Sequence, residues 1–511
     1  MVFKVDSNGI QVWHSRSCLS AIQASNMLAN LISSSGLNVY RALLQFLFNV
    51  ALTHYLAPAE FGIVNFILPL VTLVILLGDF GLSTAVVRDR DLGEHEAGAA
   101  FTLSVFFALL LGLAVNVALW FLPDHRAWEE VRPIIVAFSV VPLLSLATIV
   151  PRALVERKLA YRSLAAIEAI AISSGALCGL ILATQEAGVW SLVIFHLITQ
   201  AVRFAGFFLL SRSDIRANFR WSYTRRLLSF GSWVFGSSLL TFLFRNGDNI
   251  IIGAMLGPAA LGAYAFAYQF IVLPLMVLTW PASGVLLATF SRLRPDAGEA
   301  RKVVGSVICL TATVTFPATA FLVIEGPYIL PYVLGPRWQP AAEIAAILAP
   351  IGALQSLSSY IGPTMLIRGR AKSLFLLNLA ITVLTLLLFT VVAWFGWNIV
   401  QLCWMYLMFS AVIFVGTLML MFTMLGMTWS SVASILWLPC LASALGTIAA
   451  MIVHLSSRAA PVDMNNLLCS SSAFVMATML TLVLQRRLIL GHLSSVVRMG
   501  NKNPISSGAA Q

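Results

Sequence analysis

The sequence predicts an all-α integral membrane protein with about 14 transmembrane helices. These form two parallel six-helix lobes around a central cleft, plus two extra C-terminal helices. Three observations predict this. First, hydrophobic residues make up 59% of the 511 and charged residues only 10%, less than half the roughly 25% charge of a soluble domain. Second, apolar runs of ~20 residues, enough to cross ~30 Å of hydrocarbon, recur along the whole chain. Third, basic residues alternate between strong and weak representation in the connections between those runs.

The spans fall roughly at 35–56, 61–82, 98–121, 133–151, 164–184, 189–210, 228–255, 261–290, 303–324, 342–366, 373–395, 399–424, 431–455 and 466–484. The seventh and eighth are long enough to tilt or break. Prolines bear on their shape. Pro133, Pro142 and Pro151 recur in span four, and Pro69, Pro274 and Pro281 interrupt spans two and eight. Each removes a backbone donor and permits a kink. Residues 1–34 lack a continuous apolar run and a cleavage site, so a cytoplasmic tail is expected there in place of a signal peptide.

With a cytoplasmic N-terminus, the even-numbered connections face the cytoplasm. They hold Arg88 and Arg90; Arg152, Arg157, Lys158 and Arg162; the arginines from Arg212 to Arg226; Arg292, Arg294, Arg301 and Lys302; and Arg368, Arg370 and Lys372. The two tails add Lys4, Arg16, Arg486, Arg487, Arg498 and Lys502, whereas the opposite loops hold only Arg126, Arg132, Arg337 and Arg458. This positive-inside bias predicts a multi-pass protein of a bacterial cytoplasmic (inner) membrane with both termini cytoplasmic. The net charge of +11 is then a topology signal and does not call for nucleic acid. Trp120, Trp190, Trp338, Trp394 and Trp397 fall near outer span ends, where interfacial anchors belong.

An internal repeat sets the domain plan. Leu56-Ala57-Pro58-Ala59-Glu60-Phe61-Gly62 matches Leu256-Gly257-Pro258-Ala259-Ala260-Leu261-Gly262, and Asn49 and Asn249 keep the same offset. Both copies end one span and begin the next on the same side, so span one corresponds to span seven. This predicts two lobes, 35–210 and 228–424, related by an axis along the membrane normal. The basic stretch 211–227 links them, 425–485 holds two additional spans, and 486–511 is a cytoplasmic tail.

On these residues the chain resembles the Wzx-type polysaccharide flippases of the multidrug/oligosaccharidyl-lipid/polysaccharide exporter superfamily. The carriers are Arg41, the turn from Leu56 to Gly62, Asp79-Phe80-Gly81-Leu82 closing span two, Asp248, and the run from Leu256 through Ala263 to Tyr264. The likeness covers most of residues 30–430 and is greatest for the lipopolysaccharide and exopolysaccharide export branch. Ala57 departs from that branch, which often has Gly there. The resemblance implies a transporter, not an enzyme. It implies a lipid-linked oligosaccharide substrate moved by alternating access, with membrane lipids and a polysaccharide polymerase and export machinery as partners.

Charge inside the spans marks the site residues, because a charge at the bilayer centre costs at least ~2.5–3.5 kcal/mol. Arg245 lies deep in span seven, and Asp248 shares its helical face three residues on. Guanidinium matches phosphate oxygens bidentately, so Arg245 is read as a grip on the diphosphate of a lipid carrier, with Asp248 as its partner when empty. Arg41 maps by the repeat to Thr241, one turn before Arg245, so both arginines are expected to face one cleft. Arg203, in span six, is the third substrate-binding candidate, with snorkelling to the headgroups as its other reading. Asp79, between Gly78 and Gly81, reads as a helix-end cap. Glu168 reads as the partner of a cytoplasmic arginine or as the site of a coupling ion. Ion coupling or charge pairing thus falls to Asp248, Asp79 and Glu168.

No cofactor is expected beyond coupling to a proton or sodium gradient. The six cysteines include no C-x-x-C pair, and His54, His196 and His454 are scattered, so no metal site is expected. There is no Gly-x-x-x-x-Gly-Lys phosphate loop. An ion-coupled drug antiporter on the same fold would want an acidic cavity, and a membrane-embedded polymerase or ligase would need larger outer loops.

Overall fold

The computed structural model describes residues 39–88, 93–120, 126–212, 215, 221–293, 297–456 and 464–500. The expected N-terminal tail, with Cys18, lies outside them, as do residues 213, 214 and 216–220 of the basic linker. Among the described residues there is no strand. Among the described residues eleven helices have the length and hydropathy of a span, against the fourteen expected. Two shorter apolar helices, α1 (Val39–Leu52) and α10 (Pro258–Pro274), stand where the first and eighth spans were expected. The seventh falls within α9 (Trp221–Met255), which begins inside the stretch read as linker.

Three expected spans are broken, and proline explains each break. Span four divides into α5 (Arg126–Phe138) and α6 (Val140–Arg157). Pro142 has no N–H for the carbonyl of Phe138, and the helix parts there. Span ten divides at Ser359 and Tyr360 into α14 (Gln339–Ser358) and α15 (Ile361–Ile367), where Pro363 cannot serve Ser359. In span eight, α10 ends at Pro274, a π turn covers Leu275–Thr279, and α11 (Trp280–Leu293) begins just before Pro281.

The repeat reappears as packing. Pro58 starts α2 (Pro58–Asp79) and Pro258 starts α10, each at the first helical turn, where a missing N–H costs nothing. Gly257 enters its helix at φ 88°, a left-handed value that favours glycine, whereas Ala57 enters at φ −81°. That explains why the first copy tolerates alanine. The two helix starts then pack on each other reciprocally. A Cβ on Gly62 would run into the carbonyl of Pro258, and a Cβ on Gly262 into the carbonyl of Pro58. Such exchange of contacts, i on j and j on i, is what a twofold axis between the copies requires.

This seam is sealed by aromatic rings and by bonds between the lobes. Trp338 is fully buried. Its indole N–H donates to the carbonyls of Thr53 (3.1 Å) and Leu56 (3.2 Å). Phe61 and Phe266 pack against its ring at 5.0 and 4.8 Å between centroids. The Asn49 amide donates to Gln269 Oε1 at 2.9 Å. The expectation that Trp338 is an interfacial anchor is therefore wrong: Gly335 at φ 93° turns the chain inward and delivers the indole into the core. Trp190, Trp394 and Trp397 are exposed at 40%, 80% and 42%, as anchors should be.

The C-terminal pair, α18 (Trp429–Ser456) and α19 (Met464–Leu484), packs on α12 (Ala297–Ile324). A buried carboxylate joins them: Glu325 accepts a hydrogen bond from Ser470 Oγ (3.0 Å) and lies 3.2 Å from His454 Nε2. The tail beyond is helical through α20 (Arg486–Gly500), which returns along α12.

Candidate functional site

Two arginine-bearing polar sites stand out among the described residues, one around Glu168 and one among residues 244–417. The first is built on α7 (Tyr161–Thr184) and α8 (Trp190–Ser211). Gly175 and Gly179 sit on α7 as a Gly-x-x-x-Gly pair, a spacing that lets helices approach closely in a membrane. A Cβ at Gly175 would strike Thr199 and the Phe195 carbonyl, and one at Gly179 would lie 2.9 Å from the Ser191 carbonyl. Glu168 is two turns before Gly175 on the same face, and so is pressed toward α8.

Glu168 is fully buried and gathers three arginines from three other helices. Arg203 of α8 comes within 3.0 Å, Arg152 of α6 within 3.5 Å, and Arg41 of α1 within 3.8 Å. The Arg203 guanidinium also donates to Gln200 Oε1 at 3.0 Å, and the Gln200 amide bonds Ser145 of α6. Tyr40 and Ser173 tie α1 to α7 at 2.7 Å. Arg152 has a second carboxylate, Glu156, at 3.0 Å. The cluster thus sets three cations against Glu168 and Glu156. The side chains of Arg41, Arg152 and Arg203 keep 33%, 42% and 19% of their surface exposed, while both Glu168 oxygens and Arg203 Nε lack a well-directed hydrogen bond. Positive charge is in surplus, and it reaches the surface of the site.

The second site is a cavity of about 740 Å³ in the C-terminal lobe, bounded by residues from Phe244 to Thr417. Arg245 and Asp248 both line it, but the expected ion pair between them is not formed. Asp248 accepts hydrogen bonds from the Tyr264 hydroxyl and the Asn249 N–H, both at 2.8 Å. Arg245 lies instead over the Trp280 ring, 5.2 Å from its centroid, a cation–π arrangement. The reason is local. Residues three apart share a face, but α10 packs against α9 and Tyr264 reaches the carboxylate first. Gln355, Tyr268 and Tyr406 complete the polar wall, with the Gln355 amide donating to the Tyr406 hydroxyl at 3.2 Å.

The predicted residues are therefore divided. Arg41, Arg203 and Glu168 come together in the N-terminal lobe, and Arg245 and Asp248 line the C-terminal cavity, where Arg41 is not among the lining residues. Asp79 belongs to neither site. Its carboxylate accepts from the N–H and the hydroxyl of Ser83 at 2.9 and 2.8 Å, and so caps α3 (Leu82–Arg88) across the left-handed Phe80. Sequence reasoning missed Arg152 and Trp280. Arg152 was counted with a cytoplasmic connection, although the Gly175/Gly179 pair marks the crowded face of α7 to which it reaches. Trp280 follows the π turn, which has no sequence signature beyond its flanking prolines.

Comparison with known proteins gives a consistent picture. The family model described as polysaccharide biosynthesis protein matches residues 51–343. Among curated relatives, the lipopolysaccharide biosynthesis protein WzxC of Escherichia coli K12 is 25% identical over 62% of this chain and 65% of its own length. The succinoglycan biosynthesis transport protein ExoT of Rhizobium meliloti is 25% identical over 58% and 60% respectively. The matches thus span less than two thirds of those relatives. Among solved structures, the lipid II flippase MurJ in an inward closed conformation superposes with a TM-score of 0.70 at 12% identity, covering 90% of this chain and 100% of that one. An inward-facing multidrug transporter of the MATE family gives 0.55 at 12% identity, over 76% and 98%.

Proposed function

We infer the activity from a family premise: the chain belongs to the Wzx-like polysaccharide biosynthesis family of the multidrug/oligosaccharidyl-lipid/polysaccharide exporter superfamily, and is a transporter, not an enzyme. It flips a polyprenyl-diphosphate-linked oligosaccharide from the cytoplasmic to the periplasmic leaflet of a bacterial inner membrane, for exopolysaccharide or lipopolysaccharide assembly. The helices of the predicted order, the shorter α1 and α10 included, act as two six-helix lobes with an appended pair.

The observation that carries this reading is the surplus of guanidinium around Glu168. A diphosphate esterified at both ends is a compact dianion, and three arginine forks on one small site match its oxygens. The bias of basic loops places Arg152 and its neighbours Arg157 and Lys158 toward the cytoplasm, so the cluster stands where the lipid-linked head enters. The sealed glycine–tryptophan seam is then the periplasmic end, and it is closed in this conformation. Rocking the lobes about the seam exposes the head to the other side. The same cationic surplus disfavours a cationic drug as cargo. The coupling ion is a proton or sodium, with Asp248 as the carboxylate in the cavity.

The test is export in a strain lacking its own copy. Arg41→Gln and Arg203→Gln together should cut surface polysaccharide at least about tenfold at normal membrane abundance, which corresponds to about 1.4 kcal/mol, while lipid-linked oligosaccharide accumulates inside. Arg203→Lys keeps the charge but loses the fork, and should fall between. Full export with both arginines replaced would remove the cluster from transport.

A further inference from the structure

α20 contributes to neither arginine site. It follows α19 after Gln485 alone and runs 15 residues, about 22 Å, short of the ~30 Å of hydrocarbon. Its start is therefore fixed at the membrane end of α19, which the bias of basic loops assigns to the cytoplasm. α20 packs on α12, with Ser306 Oγ and His492 Nδ1 3.1 Å apart.

Helical spacing gives α20 three faces. His492 meets α12, and Ile489, one turn before it, is half-buried on the same side. Leu490 and Leu493 share the neighbouring face and stay 57% and 46% exposed. Arg487, Gly491 and Ser494 share the third face and are exposed. α12 thus covers one side and leaves a leucine stripe and a polar stripe next to each other. In water the leucine stripe would stay wet. In the hydrocarbon core Arg487 would be stranded without a partner. At the boundary between them both stripes are satisfied, with leucines in the acyl layer and guanidinium groups among the headgroups.

Charge selects the lipid. From Met464 to Gln511 the chain holds Arg486, Arg487, Arg498 and Lys502 and neither Asp nor Glu. Arg486 and Arg487 are exposed, and neither is paired with a described carboxylate. The phosphodiester of an anionic phospholipid complements them, whereas that of phosphatidylcholine is already neutralised by its own ammonium.

We propose that α20 is a surface helix that docks on anionic phospholipid, with Leu490 and Leu493 in the acyl layer and Arg486 and Arg487 on the headgroups. Through its packing on α12 it fastens the first half of that span to the leaflet. The proposal requires a membrane-spanning chain and is independent of the cargo.

The full chain, with its six cysteines replaced by alanine, is labelled with the fluorophore NBD at Leu493→Cys or Ser494→Cys. It is placed in liposomes that carry a spin-labelled quencher on phosphatidylglycerol or on phosphatidylcholine. The label at 493 should be quenched from the lipid and little by aqueous iodide, and the label at 494 the reverse. Spin-labelled phosphatidylglycerol should half-quench the label at 493 at about a fivefold lower mole fraction than spin-labelled phosphatidylcholine. Arg486→Gln/Arg487→Gln should bring the two lipids to within about twofold. Arg486→Lys/Arg487→Lys should keep most of the preference, because a surface potential asks for charge and not for the fork. Equal quenching by both lipids in the unsubstituted helix, or a preference undiminished by the glutamines, overturns the proposal. A label at 493 as open to iodide as the one at 494 overturns it too, since α20 then stands in water. A label at 493 shielded from iodide and from lipid overturns it in favour of a protein covering that face.

Discussion

Gly62→Val is expected to abolish export while leaving the protein in the membrane at normal abundance. The seam between the lobes closes because α2 and α10 touch backbone to backbone at Gly62 and Gly262. A side chain at Gly62 meets the Pro258 carbonyl, and a carbonyl in a proline-started helix turn has no rotamer with which to yield. The helices must separate, which pulls Trp338 away from its two carbonyl acceptors on the other lobe. Overpacking of this kind costs about 1–3 kcal/mol. Set on a two-state equilibrium, that shifts the ratio of closed to open seam by roughly 5- to 150-fold. The separate core clusters around Phe290 and Phe422, and around Leu82 and Leu154, contain no residue of the seam, so the fold is expected to survive. The measurement is the labelling rate of a Thr53→Cys thiol by a charged maleimide in purified protein, since Thr53 is only 3% exposed with the seam closed. Gly62→Val should raise that rate at least about fivefold. An unchanged rate would mean the glycines only save space.

The second large effect is at Glu168. Glu168→Gln leaves Arg41, Arg152 and Arg203 crowded around a neutral side chain, with Arg203 mostly buried. Removing one partner of a buried ion pair costs about 3–5 kcal/mol. Here the lower part of that range applies, because Arg41 and Arg152 still reach solvent and are screened there. The thermal midpoint in detergent should fall clearly. Adding Arg203→Met should restore much of it, since one deep cation is removed with the anion, but export should stay lost because a fork of the cluster has gone. Restored export in the double variant would make the cluster a purely structural ion pair.

A reading of the sequence alone finds helices and much of their order because apolar length and loop charge are local signals. It read the repeat from a turn motif, and the structure gives that motif a physical purpose at the seam. What it could not read was non-local. Trp338 sits in the sequence where an anchor should, and only the left-handed Gly335 and the facing lobe make it a core residue. Asp248 shares a helical face with Arg245, yet Tyr264, a residue of the next helix, takes it. Span breaks at Pro142 and Pro363 carry a local cause, but the same residue type at Pro69, Pro151 and Pro317 remains inside unbroken helices. Neighbouring helices decide which prolines bend a span and which are accommodated.

A flippase of this kind should carry a diphosphate-linked saccharide across a bilayer with no other protein present. Proteoliposomes holding the purified full-length protein and a fluorescent polyprenyl-diphosphate-linked disaccharide test it most directly, with a membrane-impermeant quencher added outside. With the wild-type chain nearly all of the label should become quenchable, and with Arg41→Gln/Arg203→Gln only the outer-leaflet share, about half, by the symmetry of the two leaflets. Quenching with the wild-type chain that never exceeds that of protein-free liposomes would contradict the account.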